Sequence, residues 1–108
     1  MIRIEEYIRA NGESPFANWV NELDSNAANK VNTYLTRISA GNISSLKPLK
    51  GALQEVRIAW GPGYRVYIGK AGNTLIILLG GGTKQRQHKD IDRASALWEE
   101  YKERKKAS

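Results

Sequence analysis

The N-terminal residues alternate, with Ile2 and Ile4 set between charged neighbours and followed by Tyr7 and Ile8. That pattern predicts a strand ending near Asn11-Gly12. Ser14-Pro15 then opens a helix, because a serine oxygen accepts an early backbone N–H and proline fits the first helical position. Phe16, Trp19, Val20 and Leu23 follow at i, i+3, i+4 and i+7, one apolar stripe. Asp24-Ser25 interrupts the stripe and caps a second helix, whose Ala28, Val31, Leu35 and Ile38 share one face before Gly41 closes it. The two helices form an antiparallel hairpin.

From Asn42 to Gly51 the segment NISSLKPLKG reads as a connecting loop with Lys47 and Lys50 exposed. Beyond it the period changes from 3.6 to 2. Leu53 to Ala59 and Tyr64 to Gly69 read as a hairpin turning at Trp60-Gly61-Pro62-Gly63. Thr74 to Leu79 is an almost continuous apolar run, the mark of a strand covered on both faces. Gly80-Gly81-Gly82 is expected to end the sheet. Ile91, Ala94, Leu97, Trp98 and Tyr101 then recur at helical spacing. The expected order is β-α-α-β-β-β-α, an α+β domain with two N-terminal helices on one face of a small, mostly antiparallel sheet and a helix at the C-terminus.

Composition narrows what such a domain does. At 108 residues one domain is expected, and 17 Lys and Arg against 11 Asp and Glu leave a net charge of +6, so nucleic acid leads the partners. With no cysteine, disulfide scaffolds, thiol nucleophiles and thiolate zinc sites are excluded, and the single histidine, His88, excludes a multi-histidine metal site. No cofactor is expected. The carboxylates lie in scattered pairs with no spacing that implies an acid–base couple or a metal cage. Charges at Arg3, Glu5 and Glu6 interrupt the start of the chain where a signal peptide needs an apolar stretch. The run Leu75 to Leu79 is far short of the roughly 20 residues that span a bilayer, so a cytoplasmic location and no membrane partner are expected.

Strand alternation sorts the hairpin into two sets. Val56, Ile58, Tyr64, Val66 and Ile68 form an apolar face for the helices, and Glu55, Arg57, Arg65 and Tyr67 collect on an opposite, open face. There Arg57 and Arg65 either grip phosphate with fork-shaped donors or pair with Glu55 and other carboxylates on a solvated face. Tyr64 or Tyr67 offers a ring for a base. The loop GGGTKQRQHK places Lys84, Arg86, His88 and Lys89 together. Its glycines either cradle an anion or merely turn the chain, and it lacks the GxxxxGKS pattern of a nucleotide-binding loop. Lys84 beside the two arginines would have its charged form disfavoured, which suits a general acid or base. Histidine is the side-chain type suited to proton transfer near neutral pH, so His88 is a candidate, although a solvated histidine at a polar helix start needs no function.

From Glu55 to Lys102 the sequence EVRIAWGPGYRVYIGKAGNTLIILLGGGTKQRQHKDIDRASALWEEYK resembles the RelE/ParE-type toxins of bacterial type II toxin–antitoxin modules. It is most similar to the addiction module killer proteins related to HigB. The marks are GPGYRVY, the strand running into LLGGG, Lys84 two residues later and the DI..A.A helix. The N-terminal half is similar too, through its Pro15-Phe16 helix start and LKPLKG. The resemblance implies a microbial RNase fold with an open basic face. It also implies a ribosome-dependent mRNA endoribonuclease that inhibits translation by cutting mRNA in the A site. Arg57, Arg65 and Lys84 then fall at the family's basic positions, with His88 a further proton carrier. Tyr64, Tyr67, Lys47, Lys50 and Arg86 would contact substrate. The implied partner is a small helix-turn-helix antitoxin in a hetero-oligomer. A ParE-like action on gyrase, or a non-catalytic RNA-binding or co-repressor role, stands as the alternative.

Overall fold

The computed structural model describes residues 1–107. Strands β1 (Arg3–Glu6), β2 (Leu46–Lys50), β3 (Leu53–Ile58), β4 (Tyr64–Lys70) and β5 (Leu75–Thr83) form one sheet in the order β1-β5-β4-β3-β2. β1 runs parallel to β5, and the other pairings are antiparallel. Helices α1 (Pro15–Val20) and α2 (Ser25–Ser39) precede the hairpins, and a 3-10 turn (Lys84–Arg86) leads into α3 (Gln87–Ala107). The protein is thus α+β, with a mixed five-stranded sheet and a C-terminal helix.

Both N-terminal helix starts follow from local chemistry. The Ser14 hydroxyl accepts the Ala17 N–H at 3.0 Å, and the Asp24 carboxylate accepts the Ala27 N–H at 2.8 Å. Phe16, Ala27, Val31 and Ile38 from these helices are buried against Val56, Ile58, Val66, Ile68, Ile76 and Leu78. Every one of those strand residues faces the same side of the sheet.

Three expectations are corrected. LKPLK is not loop but β2, an edge strand pairing Leu46 with Val56, Lys47 with Glu55 and Pro48 with Gln54. An edge strand needs donors on one side only, so it tolerates the proline and exposed lysines that otherwise signal a loop. The glycines do not end the sheet either, since β5 continues to Thr83. Gly81 and Gly82 are glycines because neighbours approach the backbone: a Cβ at Gly81 would lie 2.4 Å from the Trp19 ring, and one at Gly82 would lie 1.9 Å from an Asp90 carboxylate oxygen.

The third correction matters most. The face expected to be open is covered by α3, whose Ala94, Leu97 and Trp98 pack on Leu53, Tyr67, Ile77 and Leu79. The first face is already occupied by α1 and α2, so the apolar stripe of α3 has this side of the sheet to bury itself against.

The far half of α3 is tied to the exit of β1. Tyr7 donates its hydroxyl proton to Glu100 Oε2 at 2.5 Å, Arg9 reaches both Glu100 oxygens at 3.0 Å, and Arg104 donates to the Ile8 carbonyl at 2.6 Å. The Arg9 hydrogen bonds, and after them that of Tyr7, hold the Glu100 carboxyl below its usual range. A carboxyl depressed in the folded state contributes stability above its unfolded pKa, and that contribution is lost as pH falls through the folded value. The urea midpoint of the wild type is therefore expected to fall more steeply on acidification than that of Glu100→Gln. Parallel pH profiles for the two would show that this cluster does not couple protonation to folding.

Candidate nucleic-acid interface

Arg57 and Arg65 face each other directly across β3 and β4, and one step along the same face Glu55 stands opposite Tyr67 on one side and Lys47 on the other. Glu55 is wholly buried. Its carboxylate accepts Arg57 Nε at 2.7 Å and Gln87 Nε2 at 2.8 Å, and lies 3.5 Å from Arg65 Nε. Gln87 is the first residue of α3, so one buried carboxylate joins two strands to the start of the helix. The arginines do pair with Glu55, though on a covered face and not the solvated one expected, and the pairing does not consume them equally. The Arg65 side chain is 12% exposed and its Nη1 donates to the Tyr64 carbonyl at 3.2 Å, while Arg57 is 51% exposed and presents its guanidinium to solvent.

Further exposed cations lie on the neighbouring elements. Lys84 donates its backbone N–H to the Gly63 carbonyl at 3.0 Å, and its stem lies beside the turn between β3 and β4, 3.6 Å from where a Gly63 Cβ would sit. Arg86 completes the 3-10 turn, and His88 and Lys89 are exposed on the first turn of α3, next to Gln87. Lys47 and Lys50 are exposed on β2. Arg57, Lys84 and His88 therefore border the α3-facing side of the sheet where the helix begins, while Lys50 sits at the far end of its strand.

The two tyrosines are placed otherwise than expected. Tyr67 is 1% exposed beneath α3, and Tyr64 is 8% exposed on the opposite face between Trp19 and Trp60, stacked on the latter at 6.5 Å. Neither offers an open ring to a base. Trp60, partly buried, is the outer member of that stack.

Sequence reasoning missed a cavity of about 410 Å3 between α1, the glycines of β5 and α3. Its walls include Trp19, Tyr67, Asp90 and Arg93, and neither the Tyr67 hydroxyl nor Asp90 Oδ2, both buried, has a hydrogen-bond partner. Burial, with the nearby Asp90 and Glu55 charges, pushes the Tyr67 hydroxyl well above its usual range, so it stays protonated. The sequence clue is three glycines followed by an acidic residue in the first turn of a helix, and only a folded chain shows the space between them.

Among the described residues no group of three or more histidine, aspartate or glutamate side chains is placed to hold a metal ion. No helix among them is long and apolar enough to cross a membrane. No protein-family model matches this sequence. An uncharacterized protein of Haemophilus influenzae is 38% identical over 86 residues, which cover 79% of this chain and 87% of that protein. Identity of that extent, running through most of both chains, carries the same fold and common descent, and this chain belongs to the family of the Haemophilus influenzae protein.

Proposed function

We propose that this protein is the toxin of a type II toxin–antitoxin pair, a metal-independent endoribonuclease that cuts mRNA in the ribosomal A site. The observation that carries the reading is the Arg57–Arg65 pair, set opposite one another in β3 and β4 and held by the buried Glu55, which also binds Gln87 next to exposed His88, with exposed Lys84 against the β3–β4 turn at Gly63. The sequence resemblance to RelE/ParE toxins supplies the reaction class, and the RelE-like arrangement of the fold is part of the same proposal.

Cleavage by a neighbouring 2′-hydroxyl needs that hydroxyl deprotonated, the charge on the pentavalent phosphate compensated and the leaving oxygen protonated. Arg57 meets the phosphate with its exposed fork and compensates its charge. Arg65, largely buried, holds Glu55 and thereby the direction in which Arg57 points, so it is a positioning residue. Lys84 and His88, on the turn and the helix start, are the proton carriers. Lys47, Lys50 and Arg86 extend the phosphate track. A small helix-turn-helix antitoxin that covers these cations would silence the toxin in the cytoplasm.

Inducing the protein alone is expected to halt growth and leave messages cut within codons, mapped by primer extension. Arg57→Ala and Lys84→Ala should each lower cleavage about 100-fold or more, the usual loss on removing a group that stabilises transition-state charge or carries a proton. Exposed Lys84 is replaced without cost to the fold, whereas Arg57→Ala also strips a partner from buried Glu55 and is compared at equal folded fraction. Intact transcripts with collapsed plasmid supercoiling would instead identify gyrase as the target. Unimpaired growth, with Arg57→Ala merely flattening the salt dependence of RNA binding, would identify a non-catalytic module.

A further inference from the structure

We infer that the cavity between α1, the glycine end of β5 and α3 is a binding site for a guanine nucleotide, with Asp90 and Tyr67 reading the base and Arg86 and Arg93 holding the phosphate. Two features of the fold create the space. β1 pairs with β5 only as far as Leu78, so the last residues of β5 have β4 on one side and the cavity on the other. At Gly80 nothing lies within 4 Å of where a side chain would stand, which leaves room for a planar ring, while Trp19 closes on Gly81 and Asp90 on Gly82, and Trp19 adds an aromatic wall.

Polarity selects the occupant. Buried polar atoms in folded proteins are nearly always hydrogen-bonded, yet Asp90 Oδ2 and the Tyr67 hydroxyl, which share this cavity, are not. A carboxylate only accepts, and it is best met by two N–H donors side by side. Of the four RNA bases, guanine presents that pair on its Watson–Crick edge, and its adjacent O6 accepts the proton that the Tyr67 hydroxyl keeps. Adenine places an acceptor where the first donor is required, and uracil and cytosine lack the pair. A free guanidinium would satisfy Asp90, but it would face exposed Arg86 and Arg93, against which the lining sets one other carboxylate, Glu22. A nucleotide suits both halves, with donors toward the buried carboxylate and an anion toward the arginines. The volume lies within the range of small-molecule sites.

The inference does not depend on the nuclease reading, because binding is measured without cleavage. Calorimetric titration with 5′-GMP is expected to saturate, with 5′-AMP at least about tenfold weaker, since a site built to pair a donor rejects the analogue lacking it. Asp90→Asn should weaken GMP at least about tenfold with the melting temperature held, and Tyr67→Phe should weaken it less. A titration with a short RNA carrying a single guanosine distinguishes the two sources. Tighter binding than GMP assigns the pocket to an RNA residue, and equal binding assigns it to the free nucleotide. No saturation by either probe, equal affinity for GMP and AMP, complete displacement by inorganic phosphate, or an unaffected folded Asp90→Asn variant would each overturn the assignment.

Discussion

Replacing Glu55 by alanine is expected to destabilise the fold by about 3–5 kcal/mol, the usual consequence of removing one partner of a buried ion pair. The size follows from what is left behind. Arg57, half exposed, regains water when its carboxylate disappears, but Arg65, 12% exposed between β4 and α3, does not. The Gln87 amide also loses its acceptor, so the first turn of α3 loosens along with the strands. Glu55→Gln should fall between, since its carbonyl still accepts while its amino group meets other donors. Glu55→Leu with Arg65→Leu should lose far less than Glu55→Ala alone, because removing both charges leaves none unpaired. Urea unfolding followed by circular dichroism measures all of these. A loss below about 1 kcal/mol for Glu55→Ala would mean that Arg65 finds another partner or solvent, and the carboxylate would no longer be the hub of the site.

This hub was half legible in the sequence. Alternation correctly placed Glu55, Arg57, Arg65 and Tyr67 on one face, because strand geometry is local and needs no knowledge of partners. The caps at Ser14 and Asp24 were legible for the same reason, each acting three residues ahead. What covers that face is a long-range fact, and the expectation of an open surface failed there. A hint was present in Leu75 to Leu79, apolar at every position, which demands cover on both faces of the sheet. The helical stripe of Ala94, Leu97 and Trp98 demands a face of its own. Only taken together do they place α3 over Glu55 and Tyr67. β2 and the glycine end of β5 were misread because proline and glycine usually punctuate; here proline sits where one edge needs no donor, and glycine sits where Trp19 and Asp90 press on the strand. The cavity depends on where β1 stops relative to β5, which no local pattern encodes.

The same pressing of aromatic rings on glycine sets the second large effect, at Gly69 in β4. A Cβ there would stand 2.2 Å from the Trp98 ring, well inside contact distance. The ring has little room to retreat, since Trp98 is 8% exposed and stacks on Tyr101 at 5.2 Å with its plane tilted by 8°, and Tyr101 meets Tyr7 edge-on. Gly69→Ala must therefore lift α3 from the sheet or drive Trp98 off its rotamer, and overpacking of this kind costs about 1–3 kcal/mol. Gly69 is not in the left-handed region, so the penalty is steric rather than conformational. That distinction is testable with a double-mutant cycle, because Trp98→Leu should be destabilising alone yet recover part of the loss when combined with Gly69→Ala. Strict additivity of the two changes would show that the ring and the glycine do not meet. A coupled result would identify the Gly69–Trp98 contact as what seats α3 on the sheet, and with it Gln87 on Glu55 and Asp90 over the cavity.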